Sequence, residues 1–207
     1  MTRFFRDTLW PAIPTLKIRS VNRISLDRLL IKQFQRLEPG VVLDVGAKGA
    51  PYEQHIPATR YVRLDIDPSR EPDICVDVHE LEGEPEFDTV LVIEVLEHLY
   101  DPQTAIERLR AVMKPGGVCV LSTRFLYRYH PDPEDHYRFT QDSLQYLFRH
   151  FSGVEVYHHG NRAQVIWELL NAGGRSRVVL NLLNPLFARF ESEQTRFPLG
   201  YVVWARK

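Results

Sequence analysis

Apolar residues along this chain gather into short runs bounded by Gly, Pro, Asp or Arg. "VVLDV" (41–45), "YVRLDI" (61–66), "ICVDV" (74–78), the start of "FDTVLVIEVL" (87–96) and "VCVLSTR" (118–124) each have the length and apolar character of a strand. The turn Lys114-Pro115-Gly116-Gly117 announces the fifth run. Helical spacing fills several of the gaps, most clearly over 102–113. This alternation predicts βαβ units and a mostly parallel sheet, hence an α/β fold. Two late runs, "VEVYHH" (154–159) and "GYVVWARK" (200–207), add strands. Thr140 is placed to cap a helix over 141–150, with Leu144, Leu147 and Phe148 on one face.

The ends differ from this pattern. Residues 1–23 are aromatic, basic and broken by proline, which reads as an arm. A helix is predicted from Ile24, with Ser25 as N-cap and Ile24 and Leu29 at staple positions. Leu26, Leu30, Phe34 and Leu37 recur at helical spacing until Pro39-Gly40 stops the pattern. The boundary is therefore drawn between residues 1–38, an arm and helix, and a domain over 39–207 with a helical insertion at 161–195. Within the insertion, Val179, Leu182, Leu183, Leu186, Phe187 and Phe190 fall on one helical face that Pro185 should interrupt. That face suits a lid or a homodimer surface. The sharper reading is a peripheral membrane contact through 175–190, with Arg175, Arg177 and Arg189 meeting lipid phosphates.

Composition narrows the class. The 207 residues are 44% hydrophobic and 11% aromatic, enough for an ordinary packed core. Cys75 and Cys119 both lie in apolar runs and read as core thiols, which fits a reducing compartment. Arg6, Asp7, Pro11, Pro14 and Lys17 break any leader-like apolar stretch. No run approaches the ~18 apolar residues of a spanning helix, so a cytoplasmic location is expected. The net charge of −1 conceals basic ends: residues 1–38 carry eight Lys/Arg against three Asp/Glu, and 161–207 carry seven against three. An acidic centre between them argues against a nucleic-acid partner.

In an open parallel sheet, ligands sit beyond the carboxyl ends of the strands. Asp44, Asp65 and Asp77 end the first three predicted strands, and Asp65 follows Asp44 by 21 residues. A carboxylate in the Asp65 position can accept from both hydroxyls of a ribose. The loop after Asp44 reads Gly46-Ala47-Lys48-Gly49-Ala50 and lacks G-x-G-x-x-G, which counts against a nicotinamide-binding oxidoreductase. Several carboxylates together suit a cofactor that carries a cation.

The ordered stretches "VVLDVGAKGAPY", "YVRLDIDP", "VDVHELE", "FDTVLVIEVLEHLYDP" and "LRAVMKPGGVCVLSTR" resemble class I S-adenosylmethionine-dependent methyltransferases of the type-11 kind. The resemblance spans about 40–124 and resumes at "GYVVWARK". It implies a Rossmann-like seven-stranded sheet, mostly parallel with an antiparallel last strand, and helices on both faces. It also implies a methyltransferase domain over 39–207, with S-adenosyl-L-methionine as cofactor. By the same resemblance, Asp44 and the loop residues Gly46, Ala47, Lys48 and Gly49 flank the methionine moiety. Asp65 and Ile66 hold the ribose, Asp77 and Val78 read adenine, and Ile93 closes the methionine side with Glu94.

The family loop is D-x-G-x-G-x-G. Here Lys48 and Ala50 replace its second and third glycines, so Gly49 is expected to take the positive φ instead. Lys48 should lie outside the adenosine pocket, aimed at the methionine carboxylate or at solvent. The loop, followed by Pro-Tyr, is similar to a branch associated with surface-polysaccharide and secondary-metabolite methyltransferases. His98 of "LEHL" reads as structural. The acceptor segment should be "FLYRYHPDPEDHYRFT" (125–140), which holds His130, Asp132, Glu134, Asp135 and His136. His136 is the expected general base, oriented by Glu134 or Asp135. No metal is expected, because this His/Asp/Glu set lacks a recognisable ligand spacing. The predicted function is O-methylation of a small-molecule or glycan acceptor. The alternatives are a methyltransferase-like binding protein without catalysis, and the oxidoreductase above.

Overall fold

The structure is a computed structural model that describes residues 19–171, 182–189 and 195–207. Its elements in chain order are α1 (Val21–Phe34), β1 (Gly40–Val45), β2 (Ala58–Asp65), β3 (Ile74–Cys75), β4 (Phe87–Ile93), α2 (Pro102–Val112), β5 (Met113–Arg124), α3 (Gln141–Leu147), β6 (Ser152–His159), α4 (Arg162–Asn171), α5 (Asn184–Phe187) and β7 (Gly200–Arg206). The seven strands form one sheet in the order β3-β2-β1-β4-β5-β7-β6. β7 runs antiparallel to both neighbours, β5 and β6, and the other recorded pairings are parallel. The chain runs outward from β1 to β3 and then returns to β4, so β1 and β4 flank the topological switch point where ligands bind.

Two apolar clusters cover the two faces. Ala105, Ile106, Leu109 and Val112 of α2 and Leu144 and Leu147 of α3 pack on one face with Leu43, Val45, Val90 and Val92. Leu26, Leu30 and Phe34 of α1 pack on the other with Val42, Leu91, Val120 and Val202. Alternate residues of β1 and β4 thus serve opposite cores, as a strand period of two demands when both faces are covered.

Several boundaries differ from the sequence reading. α1 begins at Val21, because Ser20 rather than Ser25 accepts from the Arg23 N–H and caps it. Residues 20–23 therefore belong to the helix and its cap. β3 keeps two residues; Asp77 accepts from the His79 N–H and caps a single 3-10 turn over Val78–Glu80. β5 begins at Met113, and the Lys114–Gly117 turn is a bulge opposite Asp88, whose carboxylate Lys114 binds at 2.8 and 3.0 Å. α3 ends at Leu147, and Thr140 caps it through a reciprocal bond with Ser143.

In the insertion, Pro185 sits in the first turn of α5, where its missing N–H costs nothing. Trp167 stacks on Phe187 at 3.8 Å and donates to Asn184 at 2.7 Å; Asn184 in turn donates to the Arg19 carbonyl at 3.0 Å. Leu182, Leu183 and Leu186 are exposed. Arg175, Arg177, Val179 and Phe190 lie outside the described residues. Among the described residues, no helix is long and apolar enough to cross a membrane.

The cap assignment gives a stability test. Ser20→Ala should cost about 1 kcal/mol, the usual weight of an N-cap side chain, while Ser25→Ala inside the helix should stay within about 0.5 kcal/mol. Urea unfolding midpoints of the two variants check it, and equal losses would return the cap to Ser25.

Candidate active site

Two cavities meet at the carboxyl edge of the sheet. One, of about 480 Å³, is lined by Asp65, Ile66, Asp77, Val78, Leu99 and Tyr100 among others. The other, of about 140 Å³, is lined by Asp44, Ala47, Tyr52, Ile93, Arg124 and His130 among others. Gly46, Lys48, Glu94, His98 and Asp132 line both. The larger volume falls in the ~300–1,000 Å³ range of small-molecule sites.

Asp44 and Asp65 reach the edge at the ends of β1 and β2, and Asp77 reaches it from the turn after β3. Asp65 is 7% exposed; one oxygen accepts from the Asp67 N–H at 3.1 Å and the other lies 3.8 Å from Arg70 Nε. Asp77 accepts from the His79 N–H at 2.9 Å and faces His79 Nδ1 at 2.6 Å. The His79 ring stacks on Tyr100 at 3.9 Å, which makes a flat wall beside Val78. Asp44 is buried beneath the glycine loop, and the Tyr61 hydroxyl donates to it at 2.7 Å. Burial pushes the Asp44 carboxyl up to about 6, against the Tyr61 bond and helped by Glu53 and Asp65.

The loop corrects one expectation. Gly49 does not take the positive φ; Gly46 (65°), Lys48 (49°) and Ala50 (44°) do. Left-handed residues thus recur at the three glycine positions of the family loop, although two are no longer glycine. The backbone path sets the conformation, and the Gly46 N–H and Ala50 N–H hold it through bonds to the Leu64 and Ala47 carbonyls at 2.8 and 2.7 Å. Gly46 is required twice over, since a Cβ there would meet Val95 Cγ2 at 2.6 Å. Gly49 lines neither cavity. Lys48 reaches across the shared wall and pairs with Asp132.

The turn after β4 holds a buried charge cluster. Glu94 has φ 58° and its N–H donates to Ser122 at 3.1 Å. Arg124 Nε lies 2.6 Å from Glu94 Oε2 and 3.6 Å from Glu97 Oε1. Glu97 is fully buried and accepts from the Thr123 hydroxyl at 3.0 Å; burial first, then the Glu94 charge, push it up to about 8. Donor atoms of Glu97, His98 and His130 lie within 4.8 Å of one another, so these three could hold a metal ion. The sequence search missed this set because its members come from two segments. Burial and then the Arg124 charge push His130 down to about 4.

The acceptor segment is arranged otherwise than expected. His136 lines neither cavity; its Nε2 faces Glu134 Oε2 at 2.9 Å and its N–H donates to the Glu97 carbonyl. Asp135 is turned inward, held by Arg138 at 2.5 and 2.7 Å and by the His130 N–H at 2.9 Å. Its charge partners therefore include His130 rather than His136, and these contacts hold it well below the usual carboxylate range. Glu134 lines the larger cavity, and its carbonyl bonds His98 Nδ1. A carbonyl only accepts, so Nδ1 carries the proton and a neutral His98 keeps its lone pair on Nε2. The sequence reading undervalued His98, whose position is set by its contact to a residue 36 places away.

Residues 18–173 match the profile of a family described as a methyltransferase domain. The chain belongs to the methyltransferase-domain family. The resemblance seen in the sequence is thereby borne out, and the oxidoreductase alternative falls. Two curated relatives are ubiquinone biosynthesis O-methyltransferases. That of Bradyrhizobium sp. is 43% identical over 49 residues, covering 24% of this chain and 19% of that protein. That of Hydrogenovibrio crunogenus is 27% identical over 124 residues, covering 51% of each. The chain thus spans between about a fifth and a half of the length of these relatives. Among solved structures, the N-methyltransferase NodS of Bradyrhizobium japonicum, in complex with S-adenosylhomocysteine, shares the fold. It has a TM-score of 0.60 and 17% identity, covering 97% of this chain and 92% of that one.

For this methyltransferase-domain protein the left-handed alanine gives a test. An L-residue in that region is strained by roughly 1–2 kcal/mol, partly offset by the chain entropy a glycine adds to the unfolded state. Ala50→Gly should therefore raise stability by about 0.5–1 kcal/mol, whereas Gly49→Ala should be neutral or slightly stabilising. Thermal melts of both variants check the order, and a destabilised Ala50→Gly would count against the assigned loop path.

Proposed function

We propose that the protein transfers the methyl group of S-adenosylmethionine to a hydroxyl of a small-molecule acceptor. The observation that carries this reading is His98, which lines both cavities and keeps Nε2 as its basic nitrogen. The residues present fit the cofactor. The larger cavity offers a polar floor at Asp65 and Asp77, the flat His79–Tyr100 wall, and the buried Asp44 carboxylate nearby. Asp65 would accept from the ribose hydroxyls, Asp77 and the Val78 N–H would read adenine, and Asp44 with Gly46 and Ala47 would meet the methionine end. Lys48 would act on the wall through Asp132 and not on the adenosine. When bound, S-adenosylmethionine supplies an electrophilic methyl on a sulfonium.

His98 Nε2 would take the acceptor proton as the O–CH₃ bond forms and the C–S bond breaks, which leaves a methyl ether and S-adenosylhomocysteine. Arg124 would neutralise negative charge at the floor of the smaller cavity. The O-methyltransferase names of the partly matched relatives support a hydroxyl acceptor, and the glycan class is one member of that set.

A second reading is favoured by the Glu97–His98–His130 cluster. A divalent ion held there would bind the acceptor oxygen and lower its pKa, so that no base is needed. Activity lost on dialysis against a chelator and restored by Mg²⁺ or Zn²⁺ would select it.

His98→Ala should lower methyl transfer by about 10²- to 10⁴-fold while S-adenosylhomocysteine affinity moves less than about threefold. His136→Ala should stay within about twofold. The assay is radiolabelled methyl transfer to phenolic and sugar hydroxyls. A full-rate His98→Ala enzyme would remove the proposed base. Cofactor affinity with no transfer to any acceptor would favour the non-catalytic binding protein.

Asp44 gives a pH test. Its carboxyl is raised to about 6, so it is neutral at pH 5 and ionised at pH 7, and only the ionised form attracts a cation. Cofactor affinity measured by calorimetry should therefore rise between pH 5 and 7. That rise should flatten in Asp44→Asn; an unchanged pH profile in the variant would remove Asp44 from the cofactor's cationic end.

A further inference from the structure

Asp77 is held twice by one residue. Its Oδ1 accepts from the His79 backbone N–H at 2.9 Å and faces His79 Nδ1 at 2.6 Å. Its Oδ2 has no partner among the described residues, and the side chain lines the larger cavity. One oxygen is tethered and the other is left for a ligand. The His79 ring, which lines the same cavity, is itself clamped. It is buried, its Nε2 lies 3.1 Å from the carbonyl oxygen of Asp101, the residue that caps α2, and its face stacks on Tyr100.

The two ring nitrogens both face acceptors. A carbonyl oxygen only accepts, so Nε2 carries a proton. Nδ1 meets a carboxylate oxygen at a distance that needs a proton between them. A neutral imidazole has one N–H and cannot serve both contacts. Imidazole is a stronger base than a carboxylate, so the ring takes the second proton. The bond from Nδ1 to Asp77 is then charge-assisted.

We propose that His79 is a positioning residue for adenine: through Nδ1 it locks the Asp77 carboxylate, so that Oδ2 accepts from the adenine amino group. The proposal rests on the reading of the larger cavity as the S-adenosylmethionine site. An untethered aspartate loses rotamer freedom when it takes up a ligand. Two bonds to one oxygen remove that freedom beforehand, and the gain falls on the amino-group contact alone. Because His79 follows Asp77 by two residues, its N–H and its ring both reach the same oxygen.

The experiment is calorimetry on the full chain with S-adenosylhomocysteine and with its 6-deamino analogue, in which purine replaces adenine. Wild type should bind S-adenosylhomocysteine at least about tenfold tighter than the analogue, the weight of a hydrogen bond to a charged group. His79→Phe keeps a ring against Tyr100 and removes the donor; its preference should fall below about threefold, while its affinity for the analogue moves less than about twofold. His79→Asn removes the ring and keeps a side-chain N–H near the Nδ1 position, so its preference should stay within about twofold of wild type. Asp77→Ala should lose the preference as His79→Phe does, and the double variant should lose nothing further. A role in the flat wall alone would spare the preference in His79→Phe or weaken both ligands equally, and either result overturns the proposal.

Nitrogen-15 NMR of the wild-type ring gives a reading that needs no variant. Both nitrogens should carry protons, and a bare Nδ1 overturns the bond to Asp77. S-adenosylhomocysteine that binds wild type with no preference over the analogue removes Asp77 from adenine and the proposal with it, while the cofactor cavity stands. Binding of neither ligand overturns the cofactor reading itself, and the proposal falls with that reading.

Discussion

A single guanidinium, that of Arg124, stands between the carboxylates of Glu94 and Glu97 at the floor of the site. All three side chains are largely removed from water, so their charges must balance locally. Two acids against one cation leave one negative charge too many, and burial together with the Glu94 charge raises the Glu97 carboxyl well above the usual carboxylate range. The neighbouring geometry hangs from this contact. Glu94 itself takes a left-handed conformation, its N–H bonded to Ser122, and Glu97 and His98 follow in the next turn. The Glu97 carbonyl receives the N–H groups of His136 and Tyr137, so the same residue ties down the segment after β5. Removing Arg124 would leave a buried, uncompensated carboxylate, which costs more than the pair contributes.

The features legible in the sequence follow from periodicity. A parallel strand buried on both faces announces itself as an apolar run, and its last polar residue then falls at the carboxyl edge. Asp44 and Asp65 could be read for that reason, whereas Asp77 lies in the turn after a β3 of only two residues. What the sequence concealed depends on how a loop travels. The glycine loop suggested that Gly49 had taken over the left-handed turn, because glycine is the residue for which that conformation is cheap. The observed path keeps it at Lys48 and Ala50, where bonds to Leu64 and Ala47 overrule local preference. The acceptor segment was harder still. Five titratable groups within seven residues cannot all face one way, and contacts to Glu97, Arg138 and His98 decide which do.

The fold itself says less about the acceptor than about the methyl donor. A shared architecture at 17% identity accommodates many substrates, because specificity is carried by side chains at the edge and not by the sheet. In this chain the side chains that line the smaller cavity come from distant segments: Arg23 and Tyr52 before β2, His98 after β4, Arg124 at the end of β5, and His130 and Asp132 beyond it. The Lys48–Asp132 pair links two of these segments across 84 positions at the surface, where salt weakens such contacts.

The first helix was assigned by its sequence to an appendage that ends at residue 38. Its packing tells against treating it as dispensable. Tyr52 donates to Asp27 at 2.7 Å and accepts from Arg23 at 2.7 Å, which binds the helix to the loop that follows β1. Leu26, Leu30 and Phe34 supply much of one of the two apolar cores. An expression fragment trimmed to begin at residue 39 would lose a wall of the smaller cavity and bare an apolar sheet face. Such a fragment would be prone to self-association, and its inactivity would say nothing about the chemistry.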